Sequence, residues 1–204
     1  MKIVIWERLK KNDYDQMGVI SLLFKGDKIM KTPILHTNRL LLRPFQESDA
    51  NDVFNCWESD EEVAKYMFWT SHNDINKTKE WITFELGQIE KDDWYRFAIV
   101  EQESGNLLGT GLIYYEDEVA SWEIGYNLGK HYWKMGYATE AMEAILQFAK
   151  DTLGIKEIVG RHAKANIASE QVMKKLGFQY EEDVPYECNN GAVLMEGKMH
   201  RLYL

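Results

Sequence analysis

Two neighbouring runs decide the fold of this chain: Trp122-Glu123-Ile124-Gly125-Tyr126-Asn127-Leu128 and, after a short loop, Trp133-Lys134-Met135-Gly136-Tyr137-Ala138-Thr139-Glu140-Ala141. The first run is typical of a strand, and the second leads through a glycine into a helix. Such a junction points unpaired backbone N–H groups and the positive end of the helix dipole at one place, so it can bind a phosphate. Gly136 and Ala138 are small enough for a diphosphate to approach the backbone, and Lys134 can add charge.

A second polar run, Asn166-Ile167-Ala168-Ser169, opens another helix about 30 residues further along the chain. Each residue taken alone has a structural explanation, because Asn166 is a good N-cap and Gly177 a good C-cap. The first run lacks the Gly-Lys-Ser/Thr of a P-loop and the Gly-x-Gly-x-x-Gly of a dinucleotide site. Taken alone, the first run is therefore either a phosphate-binding site of another kind or only a turn before a helix, and the second run is either functional or structural.

Hydrophobic periodicity along the rest of the chain predicts a layered fold. Strands are expected at residues 39–45, 95–101, 107–115, 119–128, 156–163, 178–183 and 193–203, with helical patterns over 47–93, 138–149 and 167–176. The three strands between 95 and 128 form an antiparallel meander. A β-α-β-α-β order follows them, so the prediction is an α+β (α/β three-layer) architecture with a mixed sheet and helices on its faces.

Composition limits the classes of function. The 204 residues fit one globular domain, and the formal charge of −9 argues against binding to nucleic acid or an anionic membrane. Cys56 and Cys188 have no CxxC partner, and the five histidines show no metal-ligand spacing, so no metal site is expected. No signal peptide or 18-residue apolar span is present, which favours the cytoplasm.

The first 29 residues allow two interpretations. The run from Lys25 to Met30 can be encoded by an AAAGGAGAT-type stretch just before an ATG, which is a ribosome-binding site read through as protein. Translation would then start at Met30. The alternative is a genuine N-terminal extension with a strand at residues 3–6. We therefore expect one domain over residues 30–204, preceded by residues 1–29 as an extension or a mis-called start.

Four ordered blocks resemble the Gcn5-related N-acetyltransferase (GNAT) superfamily, specifically its RimJ/RimL-like ribosomal-protein-alanine N-acetyltransferase branch. The resemblance runs from Thr37 to the C-terminus. It rests on these blocks: Leu108-Gly109-Thr110-Gly111-Leu112, Glu123-Ile124-Gly125-Tyr126, Gly136-Tyr137-Ala138-Thr139-Glu140-Ala141, and Asn166-x-x-Ser169 with Lys175-Leu176-Gly177-Phe178. It implies the GNAT fold, a central mixed and mostly antiparallel sheet of about seven strands flanked by helices. It also implies transfer of an acetyl group from acetyl-CoA to a primary amine without a metal or a covalent enzyme intermediate.

The resemblance also assigns the residues that bind acetyl-CoA. The pyrophosphate is expected on the loop amides, and the pantetheine arm beside the strand that carries Tyr126, Asn127 and Leu128, with Asn166 bonding its amide. The loop residues are Lys134, Met135, Gly136, Tyr137, Ala138 and Thr139. Lys134 replaces the first glycine of the usual Gly-x-Gly-x-Ala pattern. The loop is expected to work if Lys134 keeps a negative φ, whereas loss of a positive-φ residue would weaken cofactor affinity.

Glu123 matches the family position of the general base that takes a proton from the attacking ammonium. The alternative for Glu123 is a solvated strand residue. The backbone N–H of Tyr126 or Asn127 is the candidate oxyanion donor. Many relatives place a tyrosine that protonates the leaving thiolate where this chain has Met173. The resemblance to the RimJ/RimL-like branch makes Ser169 a candidate for this role, through its hydroxyl or an ordered water.

The acceptor is not named by the sequence. Residues 46–93 carry 13 acids against four lysines, which equals the whole net charge. These acids are either solvated helix faces or a field that attracts a cationic amine. Likewise, Tyr66, Phe68, Trp69 and Trp81 either line an acceptor pocket or pack in the core. A catalytically degenerate acetyl-CoA-binding sensor or interaction module is the rival function, and both monomer and homodimer stay open.

Overall fold

The structure, a computed structural model, describes residues 32–204 together with two short strands, Phe24–Lys25 (β1) and Lys28–Ile29 (β2), which pair antiparallel. The start codon proposed at Met30 and the strand proposed at residues 3–6 lie outside the described residues. None of the helices in the described part of the chain combines the length and the hydropathy that crossing a bilayer requires.

The described residues form one large sheet of eight strands in the order β3-β4-β5-β6-β7-β8-β10-β9. The strands are Leu35–His36 (β3), Leu40–Arg43 (β4), Trp94–Glu101 (β5), Leu107–Glu116 (β6), Ser121–Leu128 (β7), Glu157–Ala163 (β8), Gln179–Cys188 (β9) and Val193–Tyr203 (β10). Neighbours pair antiparallel except β7 and β8, which are parallel. The expected mixed, mostly antiparallel sheet is confirmed.

The helical pattern over residues 47–93 is not one helix. It divides into a 3-10 turn at Glu47–Asp49, Ala50–Val53 (α1), a π-turn at Phe54–Glu58, Glu61–Ala64 (α2) and Ile75–Gln88 (α3). The side chain of Asp60 accepts a hydrogen bond from the Glu62 N–H at 2.8 Å, and Asp74 accepts one from the Asn76 N–H at 3.0 Å. These caps start α2 and α3 as separate helices, joined by residues 65–74.

The last two helices are Tyr137–Asp151 (α4) and Ile167–Lys175 (α5). They cover one face of the sheet, where Ile99, Ile113 and Met142 lie in the larger buried cluster. Helices α1 to α3 cover the opposite face, where Trp57 and Ile82 lie in the second cluster. The alternation of side chains along β5 and β6 supplies apolar residues to both clusters, which explains the three layers.

Candidate active site

The strands β7 and β8 pair only over their first halves. The register joins Trp122, Glu123 and Ile124 to Ile158, Val159 and Gly160, and no pairing between these two strands follows. Beyond Gly160, β8 remains paired with β10 as far as the Ala163–Gly197 pair. One side of the second half of β7 is therefore open, and an extended ligand can bond to it as an added strand.

The direction of the β7 backbone groups follows from one bond at the end of the strand. The Gly129 N–H donates to the Leu108 carbonyl at 2.8 Å. Along a strand, the backbone N–H and C=O groups of successive residues point to alternate sides. The groups of Asn127 therefore point to β6, and those of Tyr126 and Leu128 point to the opening. The Leu128 carbonyl accepts the indole N–H of Trp133 at 2.8 Å. Of the two candidate oxyanion donors, the N–H of Tyr126 is the one that faces the opening.

The loop before α4 has two left-handed residues. Gly136 is the N-cap with φ +83°, and Lys134 has φ +63°. The expectation of a negative φ at Lys134 is therefore wrong. The loop keeps the conformation that the usual glycine would adopt, at a cost of about 1–2 kcal/mol for a residue with a side chain. The amides at the α4 N-terminus stay available for a phosphate.

The side chain of Arg39, just before β4, ties this loop to the sheet through Glu140 of α4 and a loop carbonyl. The Nε of Arg39 lies 2.6 Å from Oε2 of Glu140 on α4, and its Nη1 donates to the Met135 carbonyl at 3.0 Å. The Arg39 guanidinium lies 4.2 Å from the centroid of the Tyr137 ring. Lys130, earlier in the same loop, pairs with Glu62 of α2. Arg39 thus holds the loop in place.

The N-terminus of α5 contacts the open half of β7. Asn166 caps the helix, because its Oδ1 accepts from the Ser169 N–H at 3.1 Å. The Tyr126 hydroxyl lies 2.9 Å from Ser169 Oγ and donates to the Ser169 carbonyl at 3.2 Å. Burial raises the pKa of Tyr126 to about 12, so this hydroxyl keeps its proton at neutral pH. Met173 is buried in the core against Gly160 and carries no proton donor.

Glu123 lies in the paired half of β7, just before the opening. Its side chain is buried and bonded by Arg161 of β8, whose Nε lies 3.0 Å from each carboxylate oxygen and whose Nη2 lies 2.7 Å from Oε2. Burial raises the pKa of Glu123, and the bonds and charge of Arg161 oppose that rise. The alternative of a solvated strand residue is therefore wrong.

One cleft of about 1730 Å³ joins these features. Of the predicted site residues, those lining it are Glu123, Tyr126, Asn127, Leu128, Lys134, Gly136, Tyr137, Ala138, Thr139, Asn166 and Ser169. Met135 is not among the lining residues, and its side chain is exposed. Gly125 leaves the floor open beside Glu123, because a Cβ built there meets no atom within 4 Å.

The comparison with known families agrees with this geometry. The sequence model of the acetyltransferase (GNAT) domain family matches residues 39–179 of this chain. This chain belongs to the GNAT acetyltransferase family. The uncharacterized N-acetyltransferase p20 of Bacillus licheniformis is 31% identical over 148 residues, covering 72% of this chain and 83% of p20.

Two solved structures show the same fold as this GNAT domain. The ribosomal L7/L12 α-N-protein acetyltransferase RimL, in complex with coenzyme A, has a TM-score of 0.74 at 17% identity and covers 84% of this chain and 98% of its own. The microcin C7 self-immunity acetyltransferase MccE, in complex with acetyl-CoA and AMP, has a TM-score of 0.73 at 19% identity, with 82% and 94% covered. The fold expected from the RimJ/RimL-like resemblance is confirmed.

The half of the GNAT cleft next to α2 and α3 is aromatic and acidic. Tyr66, Phe68, Trp69 and Trp81 line it, and Trp69 and Trp81 also pack against the second buried cluster. The Oε2 of Glu58 accepts from the Thr78 hydroxyl at 2.5 Å and lies 3.2 Å from His72 Nε2. The β9–β10 hairpin bonds to the segment after α2. The Asn189 N–H at its tip donates to the Met67 carbonyl at 3.1 Å, and the Tyr186 hydroxyl donates to the Tyr66 carbonyl at 3.0 Å.

A second ion pair lies in the floor of that half. Arg96 Nε is 2.7 Å from Oε1 of Glu85, whose Oε2 accepts the Trp94 indole N–H at 2.8 Å. Sequence reasoning did not find Arg39, Arg96 or Arg161. Arg39 lies within the range of the family resemblance, but a lone arginine in a strand carries no signal of its partner.

Proposed function

We propose that this acetyltransferase binds acetyl-CoA and transfers the acetyl group directly to a primary amine. The observation that carries the proposal is the parting of β7 and β8 immediately after a buried carboxylate. An open strand edge accepts an extended amide chain, and a carboxylate one step away accepts a proton from a nucleophile.

The cleft fits acetyl-CoA at both ends of that molecule. The amides at the start of α4 and the ammonium of Lys134 would hold the pyrophosphate. The backbone groups of Tyr126 and Leu128 that face the opening would pair with the pantetheine amides. The amide nitrogen of Asn166 is the remaining donor, since its oxygen already caps α5.

The proposed chemistry assigns each proton to one residue. The ammonium of the acceptor gives its proton to Glu123, directly or through water, and the freed amine forms a bond to the acetyl carbon. The Tyr126 N–H stabilises negative charge on the carbonyl oxygen. As the carbon–sulfur bond breaks, the thiolate takes a proton from the Ser169 hydroxyl, which contacts the Tyr126 hydroxyl. The second proton of the acetylated nitrogen, passed on through water, restores the Ser169 hydroxyl.

A cationic acceptor fits the other half of the cleft. Glu58 and Glu123 present buried carboxylates there, and the aromatic residues beside them can contact an alkyl ammonium through their faces. Peptide N-termini, polyamines and amino sugars all offer such a group. The names of the relatives do not choose among them for this chain.

The test is an amine panel of peptides, polyamines and amino sugars incubated with acetyl-CoA, with free thiol as the readout. We expect at least one amine to accelerate thiol release in proportion to enzyme. Calorimetric binding of acetyl-CoA with no thiol release from any amine would instead support the degenerate sensor. Asn166→Ala is expected to weaken acetyl-CoA binding, and an unchanged dissociation constant would refute its cofactor role.

A further inference from the structure

We propose that Arg161 is the positioning residue of the candidate base: its guanidinium fixes the Glu123 carboxylate at the point where β7 and β8 part and keeps it ionised. This inference rests on the proposed function of Glu123. It concerns a residue that lies outside every block that the family resemblance uses.

The geometry of the pair restricts Glu123 to one orientation. Three hydrogen bonds join the guanidinium to the carboxylate, at 3.0, 3.0 and 2.7 Å, and both oxygens take part. An arginine holds a carboxylate in this planar manner, whereas a lysine supplies only a point charge. Rotation of the Glu123 side chain would break all three bonds.

The position of Arg161 along β8 places this contact at the site. Gly160 is the last residue of β8 that pairs with β7, and Arg161 comes next. Glu123 is opposite Val159, so Arg161 is two residues beyond that partner and on the same face of the sheet. The ion pair therefore bridges the two strands where their backbones stop bonding.

The surroundings make the positive charge necessary. Glu123 is 5% exposed, and a carboxyl in such a site favours its neutral form unless a cation faces it. The other titratable groups near the pair are Glu116 and Tyr114 of β6 and Tyr186 of β9. None of these three carries a positive charge, so the guanidinium of Arg161 is the neighbouring group that keeps Glu123 negative.

The experiment compares Arg161→Gln, Arg161→Lys and a matched control, Arg201→Gln. Arg201 also bonds two carboxylates and is 20% exposed against 22% for Arg161, but it is not among the residues that line the cleft. Carbon-13 NMR of protein labelled in its glutamate carboxyls would follow the titration of Glu123, assigned by loss of its signal in Glu123→Gln. Thermal melts would confirm that each variant is folded.

In Arg161→Gln we expect the Glu123 titration to move up by about one pH unit or more. The acidic limb of kcat/KM, measured with the amine that the panel turns over fastest, should move with it. Arg161→Lys should give an intermediate shift, and Arg201→Gln none. A titration that stays in place in Arg161→Gln would overturn the inference, and so would a titration that moves without the rate profile. Failure of the proposed function looks different: no amine would then release thiol, whereas failure of the base role alone would leave Glu123→Gln with full turnover.

Discussion

Lys134 adopts a backbone conformation that glycine adopts at little cost. Its φ of +63° occurs two residues before Gly136, the left-handed N-cap of α4. The cost is tolerated because the flanking strand and helix, together with Arg39, fix the ends of the loop.

Lys134→Gly should therefore stabilise the protein. We expect the free energy of unfolding in urea to rise by about 0.5–1 kcal/mol, because relief of the left-handed strain exceeds the extra entropy of a glycine in the unfolded chain. Lys134→Ala is the matched control, since it removes the ammonium and keeps the strain. A gain in stability in both variants, or in neither, would show that the backbone is not strained.

Gly125 offers a second test at the scale of one residue. A methyl group at this position meets open space in the cleft, so Gly125→Ala should leave the unfolding free energy within about 0.5 kcal/mol. The same methyl occupies the floor beside Glu123 and should lower kcat/KM for the amine by tenfold or more. Gly111→Ala is the contrasting variant, because its methyl would lie 2.6 Å from Ile145 and destabilise the core. Unchanged turnover in Gly125→Ala would mean that the acceptor does not use this floor.

Strands β8 and β10 are joined by a buried pair of histidines. His162 Nδ1 lies 2.9 Å from the Ala163 carbonyl, so this nitrogen carries the proton. His162 Nε2 must then accept from His200 Nε2 at 3.1 Å, which leaves His200 Nδ1 buried without a partner in the described structure. Burial and the adjacent His162 lower the pKa of His200, against the weaker opposing charge of Glu170.

This pair predicts a loss of stability in acid. Because the folded pKa of His200 is below its unfolded value near 6.5, the unfolded chain binds more protons, and stability falls as pH drops below about 6.5. We expect the difference in unfolding free energy between pH 7.5 and pH 5, measured with urea, to be smaller for His200→Gln than for the parent. The glutamine amide nitrogen can replace Nε2. The exposed His131→Gln should behave like the parent. An equal loss of unfolding free energy at pH 5 in the parent, His200→Gln and His131→Gln would show that His200 does not cause the loss of stability in acid.

The elements differ in how far the sequence predicts them. Alternating strands such as β5 to β7 are predicted within a few residues, because the alternation is a local property. The helix starts at the N-caps Asp60 and Asp74 are not predicted, because each is one of many acids in a helical pattern. The residue at which β7 and β8 part is also missed, because parallel pairing joins residues far apart in sequence. Arg161 becomes visible only once that pairing is known.

Charge is distributed unevenly over the whole molecule. The net −9 arises within residues 46–93, and of the acids in that segment Glu58, Glu62 and Glu85 line the cleft. Glu62 is paired with Lys130 and Glu85 with Arg96, so Glu58 is the member without a lysine or arginine within ion-pair distance in the described structure. Most of these acids therefore belong to the solvated surface, and the field at the cleft comes from few groups.

The remaining field should still attract a cationic acceptor. We expect KM for a polyamine in the panel to rise several-fold between low salt and 0.5 M salt, with kcat little changed, because screening weakens the encounter and not the chemistry. A singly charged amine should show a smaller change. If KM for the polyamine stayed constant over this range, the acidic segment would play no part in acceptor binding.

If Glu123 serves as the base in acetyl transfer to an amine, Glu123→Gln must lose most of its turnover. With acetyl-CoA and an accepted amine held at saturation, kcat from thiol release should fall about 100- to 10,000-fold at neutral pH. Glu157→Gln, on the far end of β8, should match the parent. Near-parental turnover of Glu123→Gln from pH 6 to 9 would contradict the account.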